Sequence, residues 1–172
     1  MKQQTRTTDG KIQGNVITHT FNASREEVWK ALTDPEWLKR WWGPKNFTAP
    51  FMNSDLQLGG KYLYSMKSPD GRIYWSTGVF KEVDPPNRLV FSDSFADVKG
   101  NVISPTSLGF EPSFPMETEV DIVLEDQNGK TKLTLTRQAL PSEKDEKDTA
   151  EGWNESFEKM EHALEESKVG AR

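Results

Sequence analysis

Ala150, Trp153, Phe157, Met160 and Leu164 recur at intervals of three, four, three and four residues near the end of the chain. That is the period of an α-helix with one heavy apolar face. Such a stripe cannot stand in water, so the helix must lie against another layer. The spacing predicts a final helix over residues 148–168. The preceding charge run, SEKDEKDTAE (142–151), reads as a solvated loop or a first helical turn. Gly152 inside the helix costs up to ~1 kcal/mol relative to Ala, which points to a close backbone approach there.

The rest of the chain supplies the layer. NVITHTF (15–21) alternates as a strand, with Ile17, His19 and Phe21 on one face. Ser24-Arg-Glu-Glu27 then forms a capping box ahead of Val28, Ala31 and Leu32 at helical spacing. Asp34-Pro35 closes that helix and opens a second, which Gly43-Pro44 ends. Trp37, Leu38, Trp41 and Trp42 cover an arc of roughly 140° on this short helix, so it must sit in a corner and touch two layers. Trp41, with Trp37, is expected to wedge the helix against the sheet, and Trp42 to pack near a cavity mouth or under the next loop.

From there to about residue 138 the chain is punctuated as antiparallel sheet. Gly59-Gly60, Asp70-Gly71, Pro85-Pro86-Asn87 and Asn128-Gly129 are turn signals. They separate strands over 47–57, 61–67, 72–83, 88–95, 116–126 and 130–137. Tyr62, Tyr64 and Met66 share one face, as do Leu89, Phe91, Asp93 and Phe95. For 72–83 the inward face is either Trp75, Thr77 and Val79 or Tyr74, Gly78 and Phe80, and a bulge near Gly78 could switch it. Residues 97–115, DVKGNVISPTSLGFEPSFP, lack sheet periodicity and make an unusually long connection. Phe110 and Phe114 within it favour a loop that folds back on the body as a lid.

Six Trp, nine Phe and three Tyr predict an aromatic-rich core. Twenty-two basic against twenty-seven acidic residues argue against nucleic acid or an anionic membrane as partner. No apolar run approaches the roughly 20 residues that span a bilayer. The opening MKQQTRTTDGKIQGN lacks the apolar segment of a secretory signal, and there is no cysteine, so the cytoplasm is the expected location. Residues 1–13 read as a loose tail and 14–168 as one domain, monomeric or a homodimer through a sheet edge. The two histidines, His19 and His162, lack metal-site spacing, Gly59-Gly60 lacks the context of a phosphate cradle, and no GxSxG elbow is present. No cofactor or metal is therefore assigned.

One strand, two short helices, six strands and a long last helix make an α+β domain. FNASREEVWKALTDPEWLKRWWGPKNFT, LGGKYLYSMKSPDG, GVFKEVDPPNRLVF, GKTKLTLTRQALP and GWNESFEKMEHALE, in that order, resemble the START-like, or SRPBCC, superfamily. The likeness runs from about Asn15 to Ser167. Within the superfamily the chain is most similar to the branch named after the C-terminal domain of the activator of the ninety-kilodalton heat-shock-protein ATPase. The resemblance implies a helix-grip fold: a curved antiparallel sheet of about seven strands wraps the final helix, with a cavity between them.

On that fold the expected function is non-catalytic binding of a small hydrophobic or aromatic molecule. The expected contacts are Trp42, Tyr62, Tyr64, Trp75, Phe91, Phe95, Trp153, Phe157 and Met160, with polar orientation from His19, Asp93 or Arg137. Asp93 falls between Phe91 and Phe95, where an unpartnered carboxylate is costly. It pairs with Arg137 or His19, meets a ligand or water, or is solvated by a bulge. Two other classes remain open: a module acting on a chaperone, which the branch name suggests, and a cyclase-like or aromatase-like enzyme using Asp93 paired with Arg137 for proton transfer.

Overall fold

The computed structural model describes residues 15–170, and side chains through 168; the tail expected over 1–13 lies outside them. β1 (Asn15–Phe21) leads into α1 (Arg25–Thr33) and α2 (Pro35–Trp41). Ser24 Oγ accepts from the Glu27 N–H and Glu27 Oε1 accepts from the Ser24 N–H, completing the capping box. Asp34 serves both helices: its N–H donates to the Lys30 carbonyl, and its side chain accepts from the Glu36 N–H. Pro35 then starts α2 without leaving a donor stranded.

The sheet comprises β2 (Met52–Ser54), β3 (Lys61–Lys67), β4 (Ile73–Asp84), β5 (Arg88–Ala96), β6 (Thr118–Gln127), β7 (Lys130–Arg137) and β1, ordered β1-β7-β6-β5-β4-β3-β2. Every neighbouring pair is antiparallel. The strand expected over 47–57 shortens to three residues. Pro50 can donate no ladder bond, and Asp55 and Gln57 enter the turn that leads to Gly60.

The open choice on β4 resolves through register. Tyr62 opposes Gly78, Tyr64 opposes Ser76 and Phe80 opposes Phe91, so Tyr74, Ser76, Gly78 and Phe80 face inward. The bulge lies between Phe80 and Glu82, two residues beyond the position expected at Gly78. Gly78 has another cause. A Cβ there would sit 1.8 Å from the Ser92 carbonyl oxygen and 2.8 Å from the Tyr62 ring.

α3 (Glu143–Gly170) lies in the concavity of this sheet. Phe157, Met160, Ala163 and Leu164 are buried, and Trp153 and Ala150 pack against the core at partial exposure. The helix begins five residues before the expected 148. Ser142 Oγ accepts from the Asp145 N–H, and Glu143, Asp145 and Glu146 suit the positive end of the helix dipole. The charge run is thus helical, held by Lys144–Asp148 at 2.8 Å and by Glu146, which reaches Arg137. Gly152 does not mark a close approach: an added Cβ would rest 3.6 Å from Pro44 Cγ, an ordinary contact.

Candidate functional site

The tryptophan pair at the end of α2 divides as two layers require. Trp41 is 1% exposed, and its indole Nε1 donates to the Ala31 carbonyl at 2.8 Å. Trp37 packs against the same core at partial exposure, with the Arg40 guanidinium 4.6 Å from its ring centroid. Trp42 turns the other way, into edge contacts with Tyr64 and Trp153 at 5.0 and 5.7 Å. The loop beyond it is clamped by α3. Lys159 Nζ donates to the carbonyls of Gly43, Pro44 and Phe47 at 3.1, 3.2 and 2.9 Å, and Glu155 Oε1 accepts from the Lys45 N–H. Burial, opposed by Glu155, lowers the Lys159 pKa. This clamp was missed in the sequence, although Glu155 and Lys159 stand one helical turn apart beside the apolar stripe.

Between Trp42, the N-terminal half of α3, the sheet and the 97–115 loop lies a cavity of about 390 Å³. Six rings border it: Trp42, Tyr74, Phe95, Phe110, Phe114 and Trp153. The long loop contributes two of them. It folds back through a 3-10 turn at Pro105–Leu108 and a left-handed Gly109. Phe110 stacks on Phe95 at 5.3 Å, and Phe114 lies 4.5 Å from Phe110. Loop and sheet therefore meet through an aromatic cluster at the cavity wall.

Asp93 and Arg137 also border the cavity, but they do not pair with each other as the sequence suggested. Asp93 Oδ1 accepts from the Tyr62 hydroxyl at 2.7 Å, a hydroxyl that also lies 2.9 Å from the Ser92 carbonyl. Gly78 makes this possible, since any side chain there would occupy the space of the Tyr62 ring. Burial pushes the Asp93 carboxyl up to about 6, with the Tyr62 hydrogen bond pulling the other way. Burial together with Asp93 likewise raises the Tyr62 hydroxyl well above its ordinary value, so it remains the donor.

Arg137 is 4% exposed and faces inward beside Val120. Its Nη1 donates to Glu146 Oε1 at 3.2 Å and to the Gln138 carbonyl at 3.1 Å. Its Nε and Nη2 are covered and have no partner among the described residues. His19 does not reach Asp93 at all; its Nε2 lies 2.8 Å from Glu161 Oε1, and its ring packs on Phe21. His162 is exposed.

Of the residues expected at the site, Trp42, Trp75, Asp93, Phe95, Arg137 and Trp153 border the cavity. Trp75 does so only along its strand, because register with Ser65 turns its ring to the opposite face, 5.6 Å from Phe51. Tyr62, Tyr64 and Phe91 lie deeper, around a void of about 10 Å³ that holds at most one water. Phe157 and Met160 are fully buried core and border neither the main cavity nor that void. Inward alternation had placed these side chains correctly, but their rings and thioether fill the grip rather than line it. No group of three or more His, Asp or Glu side chains among the described residues is placed to hold a metal ion. Nor is any helix among them long and apolar enough to cross a membrane.

A curved antiparallel sheet gripping a C-terminal helix, with an apolar cavity between them, defines a START-like helix-grip domain. The chain belongs to the family described as Activator of Hsp90 ATPase homolog 1-like protein, whose model matches residues 22–165. Among solved structures, a protein of Arthrobacter aurescens is similar at 30% identity and a TM-score of 0.74, over 89% of this chain and 86% of its own. The AHSA1 protein of Silicibacter pomeroyi is similar at 22% identity and 0.71, over 90% and 99%. CalU16 of Micromonospora echinospora is similar at 20% and 0.63, over 96% and 85%. The latter two likenesses show the fold alone. No curated protein matches the chain.

Proposed function

We propose that this protein binds one small, largely apolar molecule in the cavity between α3 and the sheet, without transforming it. The observation that supports this reading is the cavity itself. Its volume of about 390 Å³ falls within the ordinary range of small-molecule sites, roughly 300–1,000 Å³. Packed domains leave few voids larger than a water. Here the aromatic side chains that could have closed the space surround it instead. The 97–115 loop, resting on Phe95 through Phe110 and Phe114, is the part of the wall that can serve as a lid.

The chaperone-directed reading takes its support from the family description alone. The enzymatic reading loses the Asp93–Arg137 pair on which it rested. Native mass spectrometry of freshly purified protein tests the proposal by seeking a co-purifying small molecule. Titration with the neutral fluorophore N-phenylnaphthylamine provides a second arm. One-to-one binding that is lost in S76F, which fills the cavity from β4, supports the reading. No saturable binding by either method overturns it.

A further inference from the structure

The cavity is apolar in area but not neutral in chemistry. Asp93 is the acidic group on its sheet wall, and one carboxylate oxygen is taken by Tyr62. The other has no hydrogen-bond partner among the described residues, and no cation there forms an ion pair with Asp93. Arg137, the positive group on the wall, is already answered by Glu146. Its remaining donors, Nε and Nη2, are covered by protein, so an anion in the cavity could not touch them as the side chains stand. Asp148 on α3, at the border, is likewise answered, by Lys144, which leaves Asp93 as the unpaired charge among the described lining residues. The fixed charge a ligand meets is therefore negative.

The aromatic rings act in the same direction. Ring faces carry negative potential and attract organic cations, most strongly where water is excluded. Trp42 and Trp153 approach the cavity from the helix side, while Phe95, Phe110 and Phe114 close it from the sheet and loop. Aromatic side chains and an unpaired carboxylate on the wall of one cavity form the chemical complement of an ammonium group on an apolar body.

We propose, building on the ligand-binding reading above, that the occupant is a hydrophobic organic cation, its ammonium seated between Asp93 and the surrounding rings. The carboxylate supplies a partner in a desolvated place, where leaving either charge alone is costly. The rings supply an apolar enclosure that still favours positive charge. Tyr62 holds the carboxylate in position by its hydrogen bond.

The test compares three probes of one shape by isothermal titration at pH 7.5: a benzyl trimethylammonium salt, its neutral tert-butyl carbon isostere, and a carboxylate of similar size. The expected result is a preference for the cation over the neutral isostere of at least about tenfold. In D93N that ratio should collapse toward one, and in F110L, which keeps the carboxylate, it should fall only partly. Equal or tighter binding of the neutral isostere overturns the cation assignment and leaves the binding function standing. Tighter binding of the carboxylate overturns it in favour of a rearranged Arg137. If none of the three binds, and N-phenylnaphthylamine also fails, both proposals fall.

Discussion

Replacing Asp93 by Asn should make the protein more stable, and only above mildly acidic pH. Asp93 sits on the cavity wall with a single side-chain hydrogen bond among the described residues, and burial raises its pKa from the usual 3.8 to about 6. The folded protein therefore holds this proton more tightly than the unfolded chain does. Stability contributed by the protonated acid is intact below about pH 4, declines as pH climbs through about 6, and is absent above it. A carboxyl moved that far corresponds to about 3 kcal/mol, an upper figure because Asp93 retains some exposure toward the cavity. The groups facing it, the Tyr62 and Tyr64 hydroxyls, are both raised and stay neutral across this range. Asn keeps an oxygen that can accept from Tyr62 and removes the charge. Urea unfolding followed by tryptophan fluorescence should show Asp93→Asn more stable by about 2 kcal/mol at pH 7.5. The gain should shrink to near zero at pH 4. A variant that is less stable at pH 7.5, or whose advantage is the same at both pH values, would refute the reasoning. A residue that costs stability at neutral pH is the kind expected where a site, and not the fold, requires it.

Three further outcomes follow from the packing. Lys159→Met should lose about 2 kcal/mol, because the carbonyls of Gly43, Pro44 and Phe47 lose their shared donor; chemical denaturation measures it, and hydrogen exchange should rise first in residues 43–47. Gly152→Ala should gain up to ~1 kcal/mol, since its added methyl meets only Pro44 at ordinary distance; a lower melting temperature would contradict this. Gly78→Ala should lose several kcal/mol, on the order of the largest single-residue effects, because its methyl would occupy the Ser92 carbonyl. The readout is the melting temperature by circular dichroism, and an unchanged value would mean that β4 and β5 can separate there without cost.

The grip was legible in the sequence because the relevant patterns repeat. The stripe from Trp153 to Leu164 had to be buried against another layer, and turn signals divided the sheet into strands within two residues of the observed boundaries, except over 47–57, where only Met52–Ser54 pair. The capping box at Ser24 and the shared Asp34 were readable because their chemistry is local. The wall of the cavity was less legible. Alternation says which face a side chain takes, but not whether the facing side chains meet. Tyr62, Tyr64 and Phe91 therefore looked like ligand contacts although they close the core. Trp75 depended on register across β3 and β4, which no single strand reveals. Asp93 stood out as a carboxylate on an apolar face, yet its partner was a tyrosine two strands away, reached across Gly78. The start of α3 was obscured because a run of mixed charge reads alike in a loop and in an exposed helical turn.

The central claim is that the space between α3 and the sheet receives a ligand, and the six tryptophans offer a direct measurement. In a ¹H–¹⁵N titration with a neutral or cationic aromatic probe, the indole signals of Trp42 and Trp153, which border the cavity, should shift together and saturate. Those of Trp29 and Trp37, on the helices outside it, should stay in place. Shifts confined to Trp29 and Trp37, or no saturable change in any indole, would contradict the account.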